Sequence, residues 1–191
     1  EIYERMVHFW RTSRQDPGSI TVAQPIAYRE TVKTIWQRAA SGVPLSYVID
    51  ENNYECYLVA VATGLATLHK SRLASSRTVT IDDHLVESRK KSLKLGQALP
   101  TLTRQLDALL RSLEGDAPSV ISADHTLIHG DCQLGNLLAQ DDRVVFLDFD
   151  DCVQGDPTRD VATFIVYLHF YDFAPTVRDA MSEAFLASYR R

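Results

Sequence analysis

This 191-residue chain is poor in the features that define several protein classes. It has three cysteines, Cys56, Cys132 and Cys152. Their number is odd and their spacing is not that of metal ligands, so a reducing cytoplasm is the expected compartment. Cys132 and Cys152 read as packing residues. Cationic side chains are outnumbered, with 20 Lys and Arg against 25 Asp and Glu. The net charge of -5 argues against a nucleic-acid binder, which needs cationic contacts to phosphate. An acidic surface suits a cationic substrate, but a charge this modest ordinarily serves solubility. No apolar run is long enough to span a bilayer, and no basic-then-apolar signal segment opens the sequence. None of the eight glycines forms a G-x-G pair, which excludes a dinucleotide-binding fingerprint. There is no internal repeat and no low-complexity tract. What remains is 45% hydrophobic and 24% charged, a balance suited to one good core or two small ones.

The most telling stretch runs from His129 to Asp160. His129-Gly130-Asp131 is followed by Asn136, and Asp148 closes the apolar run Val144-Val145-Phe146-Leu147. Asp and Asn in loops are usually turn formers that bond their own backbone. Their combination here matches a phosphate-metal arrangement. In the kinase template a loop Asp accepts the proton of the attacking hydroxyl, and an Asn and a later Asp hold magnesium. Mg²⁺ is a hard cation that takes oxygen ligands and shares its shell with phosphate and water. Gly130 to Gly135 also shows the G-x-x-x-x-G of a P-loop. Asn136-Leu137 stands where that motif needs Lys and Ser or Thr, so the P-loop reading fails.

Leu127 to Leu138 resembles the catalytic loop of the aminoglycoside phosphotransferase and choline kinase family, where HGDxxxxN replaces HRDxxxxN. Phe146-Leu147-Asp148-Phe149-Asp150 resembles that family's metal-binding strand end. Gly155-Asp156-Pro157-Thr158-Arg159-Asp160-Val161-Ala162 resembles its GDPxxDxA segment. Leu58 to His69 is similar to its first large C-lobe helix. The resemblance implies an α+β, protein-kinase-like fold, with a partial N-lobe and a mostly helical C-lobe. It also implies ATP, Mg²⁺ and a small molecule bearing a hydroxyl group, such as an aminoglycoside, choline or a sugar; the charge and hydropathy above set the further expectation of no nucleic acid and no membrane as partner.

Hydrophobic spacing sets the expected elements. Ile2, Met6 and Phe9 share a helical face. Ile20 to Ala23 and Val32 to Gln37 read as strands, and Asp16 to Ser19 as a turn. Ser41 to Leu45 reads as a linker between lobes, which divides the chain into an N-lobe remnant (1–42) and a C-lobe (43–191). Leu58, Val61, Leu65 and Leu68 mark a helix. Lys70 to Asp83 reads as a mobile connection. Helices are expected over 84–98 and 101–113, followed by a break from Gly115 to Pro118. Leu127-Ile128 and Val144 to Leu147 read as buried strands with Asp141-Asp142 as a hairpin turn, and either Leu127-Ile128 or Leu137-Leu138 is expected to pair with Val144 to Leu147. A helix from Asp160 and one over Thr176 to Tyr189 complete the pattern.

Each site residue carries an expected role. Asp131 is the base, and Asn136 and Asp148 are the metal ligands. His129 braces the loop. By resemblance Asp160 accepts bonds from the loop backbone. Asp150 approaches a second metal or the substrate, or faces solvent. His69 reads as a satisfied core histidine. The nucleotide base is expected beside the hinge, Gln37-Arg38-Ala39-Ala40. No glycine-rich loop or phosphate-clamping Lys is present, and Lys33, which precedes the hinge strand, is not assigned that role. The chain therefore reads as a fragment of a longer enzyme, inactive by itself. Two other classes stay open: a regulatory pseudokinase, and a metal-dependent hydrolase, which would want more converging His and carboxylate ligands.

Overall fold

A computed structural model describes residues 1–16, 19–117, 124–141 and 143–190. The periodic apolar residues near Leu58 form helix α3, Tyr54–Lys70. Its Leu58, Val61, Leu65 and Leu68 have no exposed surface. Each such burial stabilises the fold by roughly 1.5–3 kcal/mol before entropy is counted. Helix α3 packs against the last helix, α7 (Pro175–Tyr189), which buries Met181 and Phe185. Helix α6, Thr158–Leu168, adds Phe164, whose ring lies 4.5 Å from that of Phe185. These three helices are the floor under the proposed chemistry.

The N-terminal apolar face forms α1, Ile2–Gln15, burying Met6 and Phe9. Three short strands follow: β1 (Thr21–Val22), β2 (Pro25–Arg29) and β3 (Thr34–Gln37). β2 and β3 form an antiparallel hairpin. Next come β4 (Val43–Pro44) and the short helix α2, Leu45–Val48. Beyond α3, α4 (Ile81–Ala98) and α5 (Thr103–Asp116) pair with each other and fully bury none of their own residues. A reciprocal capping box starts α4: Asp83 N donates to Thr80 Oγ1, and Thr80 N donates back to Asp83 Oδ2. The last strands are β5 (Thr126–Ile128), β6 (Leu137–Gln140), β7 (Arg143–Phe146) and β8 (Val153–Gly155).

One four-stranded sheet runs in the order β1-β7-β6-β4. β1 joins β7 in parallel, with Val22 opposite Phe146, and the other pairs are antiparallel. The sheet therefore crosses the expected 42/43 division. β5 pairs with β8 in a separate small sheet.

Several expectations need correction. The first strand is shorter than Ile20 to Ala23 because only Thr21 and Val22 reach β7. Strand β2 was not expected: its exposed Ile26 and Tyr28 give no clean alternation, and a proline opens it. Glu30–Val32 is a turn of 3-10 helix, so β3 begins at Thr34 and not at Val32. Ser41 to Leu45 is no simple linker, since Val43 and Pro44 pair with β6 and Leu45 is fully buried. Lys70 to Asp83 is tethered, because Val79 N donates to Gln154 O and Gln154 N to Arg77 O. Gly115 lies inside α5, so the expected break does not begin there. Of the two expected partners of β7, Leu137-Leu138 in β6 pairs with it and Leu127-Ile128 in β5 does not. Pro17 and Gly18 of the expected turn, Pro118 of the expected break and Asp142 of the expected hairpin turn lie outside the described residues.

Gly64 shows how closely α3 meets the sheet. A Cβ there would sit 2.5 Å from Cε2 of Phe146. Gly64→Ala gains up to about 1 kcal/mol in helix propensity, but overpacking of this kind costs about 1–3 kcal/mol. The expected result is a lower melting temperature, and a variant as stable as the parent would contradict this packing.

Candidate active site

Asp160 has no exposed surface and accepts three hydrogen bonds. His129 N donates to Oδ2 at 2.6 Å and Gly130 N donates to Oδ1 at 2.8 Å. His69 Nε2 donates to Oδ2 at 3.0 Å, and His69 Nδ1 lies 2.6 Å from the Tyr189 hydroxyl. Burial alone would raise the Asp160 pKa. The His69 hydrogen bond, with the fields of His69 and His129 and the backbone donor, outweighs burial and holds it below the usual aspartate range. Burial also keeps Tyr189 protonated by raising its pKa. One carboxylate thus joins α3, α6 and α7 to the loop that carries Asp131.

Gly130 takes φ +88, and a Cβ there would sit 2.4 Å from Asp151 O. Only glycine permits both the left-handed backbone and this approach. The next residue, Asp131, is half-buried. Its Oδ2 accepts from Asn136 Nδ2 at 2.8 Å and from Gln133 Nε2 at 3.1 Å. Asn136 Nδ2 also donates to Asp131 O at 2.9 Å. With Nδ2 turned to these two acceptors, Asn136 Oδ1 is the side-chain oxygen left over that could meet a cation. Among the described residues no hydrogen bond occupies Asp131 Oδ1.

Strand pairing brings the second segment alongside. β6 and β7 place Leu137 opposite Phe146, and beyond that pair Leu147 N donates to Asn136 O at 2.9 Å. Asp148 therefore follows the residue bonded to Asn136. It is exposed, with a left-handed φ of +58, a conformation Asp tolerates better than most residues. His129 Nε2 donates to Leu147 O at 2.9 Å and so fixes the carbonyl just before Asp148. Burial lowers the His129 pKa, and among the described residues its Nδ1 has no hydrogen-bond partner. His129 is thus a neutral brace between the loop and the strand end. Its ring also lies 4.8 Å from that of Phe149, which stacks on Phe9 of α1 at 6.3 Å.

Asp148 and Asp150 open on a cleft of about 740 Å³, together with Tyr28, Lys33, Ile35 and Gln37. The four hinge residues are divided between two hollows. Gln37 borders this cleft, whereas Arg38, Ala39 and Ala40 line another hollow of about 460 Å³ with Trp10 and Arg143. The Arg38 amide is engaged, donating to Gln24 O. Asp131 and Asn136 do not themselves line the Asp148 cleft.

No group of three or more His, Cys, Asp or Glu side chains among the described residues is placed to hold a metal ion. Mg²⁺ does not require one, because it is commonly held by one or two protein oxygens with phosphate and water. The free Asn136 Oδ1 and the exposed Asp148 carboxylate fit that donor set. Cys132 and Cys152 are unsuited to nucleophilic work. Burial pushes both thiols up, Cys152 to about 12.

Sequence reasoning missed three groups. Gln133 orients Asp131, and its place inside the motif loop was the available signal. Arg5 is a buried cation beside the apolar face of α1, which marks it as unusual. Tyr189 completes the His69 contact but left no local trace, being one of several aromatics near the end of the chain.

Removing the Asp160 charge tests this geometry. Asp160→Asn keeps one acceptor oxygen and loses the other, so it should cost about 3 kcal/mol at neutral pH. The carboxyl is held below its unfolded value, so its contribution is present above about pH 4 and is lost as pH falls through the lower folded value. Chemical denaturation between pH 3 and 7 should show a gap between parent and variant that narrows on acidification. Equal stability at pH 7 would contradict the anchor.

The "Phosphotransferase enzyme family" profile matches residues 8–191. "Protein LicA homolog" of Metamycoplasma hominis is 28% identical over 111 residues, covering 56% of this chain and 41% of that protein. A thermostable mutant of aminoglycoside phosphotransferase APH(4)-Ia, solved with ADP and hygromycin B, superimposes with a TM-score of 0.70 at 15% identity. That match covers 99% of this chain and 68% of the other. Aminoglycoside-3'-phosphotransferase of type VIII matches with a TM-score of 0.66 at 21% identity, covering 98% and 70%. The chain thus spans about two fifths of the curated relative and about two thirds of these solved structures. It shares their protein-kinase-like fold, mixed in helix and sheet. By the family match over residues 8–191, the chain belongs to the phosphotransferase enzyme family.

Proposed function

We propose that the protein transfers the γ-phosphoryl group of ATP, with Mg²⁺, to a hydroxyl group of a small molecule. The observation that carries this reading is the joined set of Asp131, Asn136 and Asp148. Asn136 bonds the Asp131 carboxylate through its side chain and Leu147 through its backbone. One residue further on, Asp148 opens on the cleft. ADP in the related solved structures supports a nucleotide as donor.

Asp131 would orient the acceptor hydroxyl with Oδ1 and take its proton. Its other oxygen is held by Asn136 and Gln133, so the carboxylate is already positioned when substrate arrives. Positioning and charge neutralisation contribute most in phosphoryl transfer, so this order matters more than base strength. Asn136 Oδ1 and Asp148 would hold Mg²⁺, which when bound neutralises charge on the phosphates. Asp150 stands near enough in sequence and cleft to face a second metal or the substrate. On the nucleotide side, Tyr28 and Ile35 offer apolar surface beside Gln37, the one hinge residue that borders the cleft. The reading leaves the glycine-rich loop and clamping Lys to chain outside residues 1–191, and residues 1–191 alone would then turn over ATP poorly. Aminoglycoside-, choline- and sugar-like alcohols are the acceptor classes that fit.

A non-catalytic, nucleotide-binding reading draws on one observation: Lys33 is the sole Lys or Arg among the described residues lining the cleft. Turnover separates the two. In the intact protein, Asp131→Asn should lower phosphoryl transfer by about 10²–10⁴-fold, the usual worth of a positioned base, while ATP binding stays within a few fold. ADP formation with a panel of amino alcohols, sugars and aminoglycosides is the readout. Unchanged turnover in the variant would remove Asp131 from the base role, and Mg²⁺-dependent ATP binding without any turnover in the parent would favour the regulatory reading.

A further inference from the structure

Arg5 is 5% exposed, an unusual place for a guanidinium, on a helix that also buries Met6, Phe9 and Ser13. Its donors reach across to chain far away in sequence. Nη1 donates to Cys152 O at 3.0 Å, and Nε and Nη2 donate to Ala74 O at 3.2 and 3.0 Å. Nη2 also meets the Glu1 carboxylate. That carboxylate in turn accepts from Ser76 N and Ser76 Oγ, each at 2.7 Å. The one buried cation of α1 is therefore held mainly by backbone carbonyls, with its carboxylate partner half-exposed.

The position of Cys152 gives the contact its consequence. Cys152 N donates to Phe149 O at 3.0 Å, closing a turn that begins one residue after Asp148. The same turn presses Asp151 O against Gly130 of the Asp131 loop. Arg5 thus grips the far end of a short turn whose near end directly follows Asp148 and whose Asp151 abuts Gly130. Phe9, one helical turn further along α1, stacks on Phe149 within that turn. A charged donor is suited to the task at the buried Cys152 end of the contact, where an orphaned carbonyl would be costly.

We propose that Arg5 is a positioning residue for the Asp148 turn: its guanidinium bolts α1 to the Cys152 carbonyl and so sets how Asp148 is presented to Mg²⁺ in the cleft. The metal part of this proposal rests on the reading of Asp148 as a magnesium ligand, and the strut itself does not. Arg5 touches neither substrate nor metal in this account. It acts through the turn, as outer partners of metal ligands do.

The test uses Arg5→Met and Arg5→Lys in the intact protein. Met keeps much of the aliphatic bulk and loses every donor, and Lys keeps the charge and part of the donation. Hydrogen exchange is measured first, without nucleotide or metal. Arg5→Met should speed exchange of the Cys152 amide at least tenfold while the α3 and α7 core amides stay protected. Mg²⁺ titration of ATP binding comes second, and the half-saturating Mg²⁺ concentration should rise by about tenfold, the size expected for an outer-shell partner. Arg5→Lys should fall between parent and Met. Should Arg5→Met fail to fold, Arg5→Lys carries the same two readouts.

A folded variant with parental Cys152 exchange and parental Mg²⁺ dependence overturns the proposal. So does a uniform rise in exchange across the core, which would mark Arg5 as a stability residue only. A parent protein with no Mg²⁺ effect on ATP binding refutes the metal reading instead. The exchange measurement then still decides the strut, with faster Cys152 exchange supporting it and unchanged exchange overturning it.

Discussion

The buried carboxylate of Asp160 is the point on which the rest of the site hangs. A charge taken fully out of water is costly unless it is paired and hydrogen-bonded. Here three N–H donors meet it, two from the Asp131 loop and one from His69. The donors are fixed by different elements, so satisfying the charge forces those elements together. Helix α6 supplies the carboxylate, α3 the imidazole and α7 the tyrosine that faces it. The loop then has little freedom left at His129 and Gly130. From that anchor the order spreads outward. His129 braces Leu147, Leu147 bonds Asn136, and Asn136 holds Asp131.

The second organising contact lies on the other side of the cleft. Helix α1 reaches the Asp148 turn through Phe9 on Phe149 and through Arg5 on Cys152. The turn between them is short and left-handed at Asp148. Strained or sparsely populated backbone of this kind persists where surrounding structure determines it. Helix α1 near the start of the sequence therefore contributes to where Asp148 sits. The four-stranded sheet makes the same point, since β1 from the N-terminal part completes a sheet built mainly from β6 and β7.

Much of the site was legible because its residues are close in sequence and chemically distinctive. Asp131, Asn136 and Asp148 have a spacing that few other purposes need, and the β6–β7 hairpin that joins them is local. The long helices were legible for the same reason, as the periodicity of Leu58, Val61, Leu65 and Leu68 survives without knowledge of their partners. What escaped was non-local. A two-residue strand such as Thr21–Val22 has meaning only beside β7, more than a hundred residues away. Nothing near Leu127 says that β5 pairs with Val153 and not with Val145. The hinge was placed by analogy along the chain, and the fold sends Gln37 and Arg38 to different hollows. Arg5 was hidden because, Glu1 apart, its partners are backbone carbonyls, which leave no mark in a sequence.

A crystal structure of the intact protein with Mg²⁺ and a non-hydrolysable ATP analogue tests the central claim most directly. The account predicts a metal within about 2.1 Å of oxygens of Asn136 and Asp148, the usual magnesium–oxygen distance. It also predicts the terminal phosphate on the side facing Asp131 Oδ1. A nucleotide bound away from Asp148, or a metal held by neither residue, would contradict it.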